Sequence, residues 1–212
     1  MKVNRETAAS FDIDPQNGFT PACPNELPVP GGTEIVAALN AQATLARLRV
    51  VSKDAHPPTA IWAAGAQGQP FSEVEGENVD IRWQMHCVPG TKGFELIDGL
   101  PAINEYDYMV FKGVEPDMHP YGACYHDLNG KISTGVIEYL QQNGIDTVIC
   151  GGLATDYCVK LTALQLRNAG FRVIVNLEAC RGIAEETIAA AKEELVRAGV
   201  VLINNTAELE AA

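Results

Sequence analysis

The chain has 212 residues, with 15 Lys and Arg against 27 Asp and Glu, a formal net charge of −12. That balance argues against a nucleic-acid or an anionic-membrane partner, because phosphate neutralisation needs clustered cations. Apolar residues at 47% and charged residues at 20% exclude a disordered chain and suit one domain, 1–212, with a full core.

No apolar run approaches the roughly 20 residues of a spanning helix. Met1 to Ser10 lacks the apolar stretch of a signal peptide, so a cytoplasmic, reducing setting is expected. The six cysteines, at 23, 87, 124, 150, 158 and 180, are then free thiols.

In chain order, Thr7 to Ile13 reads as a first strand, interrupted by Ser10 and Asp12. Gly32 to Leu48 carries Ile35, Val36, Leu39, Ala43 and Leu45 at a helical period. Arg49 to Ser52 is a short second strand. Asp54 to Asn104 is rich in Pro, Gly and Gln and far longer than an ordinary connection; such loops are usually functional or poorly ordered. Tyr106 to Phe111 is a third strand, and Thr134 to Asn143 is a helix stopped by Gly144. Thr147 to Cys150 is a buried strand running into Gly151 and Gly152. Asp156 to Asn168 is a helix, Arg172 to Val175 a strand, Ala184 to Ala198 a helix and Val200 to Ile203 the last strand. The acidic tail beyond is expected to fray. Short strands alternating with helices predict an α/β fold: three layers, α/β/α, around a mainly parallel six-stranded sheet with right-handed crossovers.

Ligands of open parallel sheets bind beyond the carboxyl ends of the strands. There the chain carries Asp14, then Asp54 and His56, then Lys112, then Cys158 in Gly151-Gly152-Leu153-Ala154-Thr155-Asp156-Tyr157-Cys158. Cys158 would lie in the first turn of a helix, where free N–H groups lower a thiol pKa. Asp14, beside Lys112, is suited to act as its base. The N–H groups of Ala154 and Cys158 are candidate oxyanion donors. A cysteine taken alone is more often a buried, inert core residue; here the Gly-Gly-Leu-Ala-Thr-Asp context and the matching Asp and Lys favour chemistry.

Asp54 and His56, two residues apart on an extended segment, point the same way. A carboxylate and an imidazole suit Zn, Fe or Mn. Two ligands do not define a site, and His86 is the candidate third. His119 and His126 follow the third strand and are less well placed. Phe19 and Trp83 are candidate walls of an apolar slot for a flat ligand, although a single aromatic is more often core. Asp12 is a decoy two residues before Asp14, and the Glu185-Glu186 and Glu193-Glu194 pairs are a solvated helix face.

These residues give the chain a resemblance to the isochorismatase-like cysteine hydrolases. It spans about Phe11 to Ala184 and is carried by D-x-Q-N-x-F at 14–19, K-D-x-H at 53–56, W-x-x-H-C-V-x-G-T at 83–91, K-G at 112–113 and G-x-A-T-D-Y-C at 152–158. The resemblance implies a catalytic Asp14, Lys112 and Cys158, metal ligands Asp54, His56 and His86, and a cis peptide at Leu153–Ala154 that turns an oxyanion donor inward. It implies substrate contacts at Phe19, Trp83, Leu153 and Tyr121, and the family's hydrolase fold with the 54–104 loop as metal site and lid. The implied activity is metal-dependent deamidation of nicotinamide to nicotinate and ammonia through a thioester, in NAD salvage and extending to pyrazinamide. The implied cofactor is a divalent ion, Zn with Fe or Mn as alternatives; the implied partner is a small pyridine carboxamide, with a homo-oligomer left open. The chain departs from the family pattern at its polar first strand, at Gly18, at Trp62 in place of a second metal-side histidine, and in the length of 57–80. The rival functions are an amidase for a carbamoyl or ureido acid or maleamate, an isochorismate hydrolase, and a non-catalytic redox-sensing or metal-binding protein.

Overall fold

The computed structural model describes residues 1–212. Six parallel strands form the central sheet: β1 (Ala8–Ile13), β2 (Leu48–Asp54), β3 (Tyr108–Lys112), β4 (Thr147–Leu153), β5 (Arg172–Arg181) and β6 (Val201–Ile203). Their spatial order is β3-β2-β1-β4-β5-β6. The winding reverses between β1 and β4, and a crevice opens beyond the carboxyl ends at such a reversal.

The alternation of strand side chains separates the two faces of the sheet. Ala9, Phe11 and Ile13 of β1, Val148 and Cys150 of β4, and Val173 and Val175 of β5 pack on one face. They meet Val136 and Leu140 of α2 (Val136–Gln142), Ala163 and Leu166 of α3 (Lys160–Asn168) and Leu195 of α4 (Glu185–Arg197). On the other face Leu153 and Ala179 meet Ile35, Ala38 and Leu39, the last two on α1 (Val36–Ala43). Burial of these apolar surfaces drives the three layers together.

The polar residues of β1 are buried and each has a hydrogen-bond partner. Gln42 on α1 donates to Ser10 Oγ at 3.2 Å, and Asn176 donates to Gln42 at 3.2 Å. Asp12 accepts from Arg49 Nε and from the Tyr106 hydroxyl, both at 2.9 Å. Buried polar groups persist where such partners exist.

Several boundaries differ from the sequence expectation. Strands β2, β4 and β5 run on to Asp54, Leu153 and Arg181. The helix expected over 32–48 is a 3₁₀ turn, Gly32–Ile35, followed by α1, which ends at Ala43. The helix expected from Asp156 opens as a π-helical turn, Thr155–Val159, before α3. The tail does not fray: Glu210–Ala211 pairs in parallel with Lys2–Val3, and buried Leu209 packs with Val3 and Ile203. An apolar anchor there outweighs the acidic composition. Between Asp54 and Tyr108 the chain forms only 3₁₀ turns and isolated bridges, Ala63 with Trp83 and Asn78 with Met118 among them. No helix is long and apolar enough to cross a membrane.

Candidate active site

The sheet brings the chemically active side chains to one edge. Asp14 follows β1 directly, with φ at 46°, a left-handed conformation that Asp tolerates better than most residues. Asp54 and Lys112 are the last residues of β2 and β3 and stand in register with each other. Gly152 of β4 packs so close to β1 that a Cβ there would strike the Ile13 carbonyl. Gln16 ties down the end of β2: its amide accepts from the Asp54 N–H at 2.7 Å and donates to the Asp54 carbonyl at 2.9 Å.

Lys112 is the hub. Its Nζ lies 3.1 Å from Asp14 Oδ2 and 3.7 Å from Cys158 Sγ, donates to the Pro120 carbonyl at 3.2 Å, and pairs with Asp54 Oδ1. The ligand atoms of Asp14, Asp54 and Cys158 lie within 4.8 Å of one another, and all three residues are buried. Burial alone would strip Lys112 of its charge, but Asp14 and Asp54 hold its pKa well above the usual lysine value. Burial likewise opposes ionisation of Asp54, and the Lys112 charge outweighs it, leaving Asp54 well below the usual carboxylate value. Asp14 is pushed up to about 6, because burial exceeds the pull of Lys112. The Cys158 thiol is pushed well above its ordinary value by burial, against the attraction of Lys112. This corrects the expectation of a thiol acidified by a helix start: desolvation dominates, and the sulfur needs a base to become nucleophilic.

Beside this network three of the four histidines gather. His56 Nε2 and His86 Nε2 lie 3.5 and 3.7 Å from Asp54 Oδ2. Their Nδ1 atoms sit 3.1 Å from the Gly113 carbonyl and 2.7 Å from the Gln84 carbonyl. Each Nδ1–H donated to a carbonyl turns the Nε2 lone pair toward Asp54, as in metal-binding imidazoles. His56 Nε2 is buried with no hydrogen-bond partner, and burial keeps the ring neutral. Asp54, His56 and His86 therefore fit a divalent cation. His119, thought less well placed from the sequence, has its ring in the same cluster. His126 is not part of it.

A cavity of about 310 Å³, solvent mouth included, opens over Cys158 and Asp54. Phe19, Leu27, Trp83, Tyr121, Tyr157 and Ile183 wall it. Trp83 Nε1–H donates to the Tyr121 hydroxyl at 3.1 Å, which donates to Asp80 Oδ1 at 2.7 Å. Leu153, expected at the wall, is absent from the lining; its side chain packs with Phe19 and Leu39 in the core. The Leu153–Ala154 peptide is cis, and Ala154 lines the cavity. No arginine or lysine lines it; Arg82, next to the 83–91 motif, donates to the Ile61 carbonyl at 2.7 Å.

Sequence reasoning set His119 aside and missed Tyr157, Ile183 and Ser52. Ser52 Oγ donates to Asp14 Oδ1 at 2.6 Å; its place two residues before Asp54, on the same side of β2, was the available signal. Asp156 accepts from the N–H groups of Ile183 and Ala184 and from the Thr187 hydroxyl, tying the turn that bears Cys158 to the start of α4.

The Isochorismatase domain model matches residues 8–207. A nicotinamidase of Acinetobacter baylyi is 33% identical over 197 residues, 91% of this chain and 90% of that protein. Among solved structures, the Acinetobacter baumannii nicotinamidase/pyrazinamidase superposes with a TM-score of 0.87 at 32% identity, covering 96% of this chain and 99% of that one. The Pyrococcus horikoshii pyrazinamidase in complex with zinc superposes with a TM-score of 0.74 at 29% identity, covering 93% and 98%.

Proposed function

The chain belongs to the Isochorismatase domain family, and from that premise we propose that it is an amidohydrolase that converts nicotinamide to nicotinate and ammonia, a step of NAD salvage, with pyrazinamide as a second substrate. The observation that carries this reading is the approach of Cys158, Lys112 and Asp14 beneath a mainly apolar cavity lined by no arginine or lysine. An uncharged aromatic amide suits such a cavity, and the similarity to nicotinamidases and pyrazinamidases agrees.

In this mechanism Asp14 accepts the Cys158 proton, and the sulfur bonds to the carboxamide carbon as the carbonyl electron pair moves onto oxygen. The N–H groups of Ala154 and Cys158 receive that oxyanion. Asp14 then delivers its proton to the amide nitrogen, the C–N bond breaks and ammonia leaves a thioester. Asp14 next takes a proton from water, whose oxygen attacks the thioester carbon, and passes the proton to the departing sulfur. Lys112 holds Asp14 and the developing thiolate together, and its own charge is secured by two carboxylates. Phe19, Trp83 and Tyr121 confine the ring. A divalent ion held by Asp54, His56 and His86, for which we propose zinc, supplies a Lewis-acid contact for the ring nitrogen when bound.

A carbamoyl or ureido acid or maleamate carries a carboxylate that calls for an arginine aimed into the cavity; none lines it, and Arg82 donates to the Ile61 carbonyl instead. A redox sensor needs an acidic thiol, and burial pushes Cys158 the other way. The test is ammonia release from nicotinamide, with maleamate and a ureido acid as comparison substrates, before and after chelation. Turnover of the ring amide alone supports the reading, and turnover of an acid substrate in its place overturns it.

A further inference from the structure

We propose that His119 is a fourth protein ligand of the divalent ion, joining Asp54, His56 and His86. The inference rests on the metal site argued for those three residues and adds one to it.

His119 is 4% exposed, yet neither ring nitrogen has a hydrogen-bond partner. A buried imidazole with both nitrogens idle forfeits the water contacts of two polar atoms and gains nothing in return. Its ligand nitrogen lies within 4.8 Å of those of His56 and His86. The ring centroids stand 5.1 Å from His56 and 5.9 Å from His86.

The backbone around His119 is fastened on both sides. The Met118 carbonyl accepts from Trp62 Nε1 at 3.2 Å, the His119 N–H donates to the Asn78 carbonyl at 2.8 Å, and the Pro120 carbonyl accepts from Lys112. The Trp62 indole packs against the ring edge-on with centroids 4.3 Å apart. An unpartnered side chain held this firmly is positioned for something the protein alone does not supply. Three imidazoles and one carboxylate form a nitrogen-rich set that favours Zn, Co or Ni over Mn or Mg. A fourth protein ligand also removes one position from water.

The test is direct titration of the metal-free full chain with Co(II), comparing wild type, His119→Phe and His86→Ala. Phe keeps the ring volume against Trp62 but has no lone pair. The readouts are the dissociation constant against a competing chelator and the visible d–d spectrum, neither of which depends on turnover. We expect His119→Phe to weaken Co(II) by at least about a hundredfold, the upper end of losses seen for residues that only support a ligand, and to change the spectrum. Nitrogen-shell counting by X-ray absorption on wild-type Zn protein, which needs no variant, is expected to find three imidazoles. Wild-type affinity and spectrum in His119→Phe, or two imidazoles in the native protein, would overturn this inference while leaving the three-residue site intact. Failure of the wild type itself to bind Co(II) or Zn(II) would overturn both.

Discussion

Ser52 Oγ donates a 2.6 Å hydrogen bond to Asp14 Oδ1, and the Asp14 N–H donates back to the Ser52 carbonyl at 3.1 Å. The pair locks the carboxyl whose acidity decides when the proposed base is available. Burial raises Asp14 to about 6 despite Lys112 and the Ser52 hydrogen bond. A base must be ionised, so kcat/KM is expected to rise with pH through about 6 and then level off. Ser52→Ala removes a hydrogen bond that favours the ionised form. Its acid limb is expected to move to higher pH by about one unit, since such a bond is worth about 1.5 kcal/mol or more. An unmoved limb in the variant's pH–rate profile would detach Asp14 from that limb.

Lys112 neutralises two buried carboxylates, so Lys112→Met is expected to cost about 3–5 kcal/mol of stability, as breaking a buried ion pair does. Thermal unfolding measures it. Losing Lys112 raises the pKa of both carboxylates, and Asp14 gives the direction. Its folded pKa of about 6 exceeds the unfolded-chain value of 3.8, so the stability tied to its proton is fully present below 3.8 and is lost as pH rises through about 6. Removing Lys112 raises that folded pKa further, so the variant should lose most stability toward neutral pH and recover part of it in acid. Equal Tm losses at acid and neutral pH would show that the lysine acts through packing alone.

Chelation separates two tasks. If the ion positions the ring while the thiol breaks the bond, metal removal should depress turnover of pyridine amides at least about a hundredfold. Alkylation of Cys158 by iodoacetamide should change only a few-fold. Parallel collapse of both rates would mean that the ion organises the whole site.

The Asp80–Tyr121–Trp83 chain fixes one wall of the cavity. Asp80→Ala, outside the cavity lining, is expected to raise KM for nicotinamide severalfold with kcat little changed, because the wall loosens while Cys158 and Asp14 keep their places. A fall in kcat at constant KM would assign Asp80 a role in the chemical steps instead.

Much of this arrangement was legible in the sequence because parallel strands deliver the residues at their carboxyl ends to one edge. Asp14, Asp54, Lys112 and the turn before Cys158 each succeed or end a strand, and their meeting needs only the β3-β2-β1-β4 order. His119 was not legible. It reaches the imidazole cluster through a backbone bond to Asn78 across two irregular segments, and no periodicity encodes such a path. The high pKa of the Cys158 thiol was missed for a related reason: depth of burial is a property of the packed molecule, whereas a helix start can be read from local sequence. Leu153 is absent from the cavity lining because the run of β4 past Cys150 turns its side chain into the core.

The central claim is that Cys158 is the nucleophile of an amide hydrolysis, and ammonia release from nicotinamide by the metal-loaded protein, wild type against Cys158→Ala, tests it most directly. The account predicts one ammonia and one nicotinate per nicotinamide consumed by the wild type, and a rate at least about 10⁴-fold lower in the variant. Turnover by Cys158→Ala at the wild-type rate would contradict it.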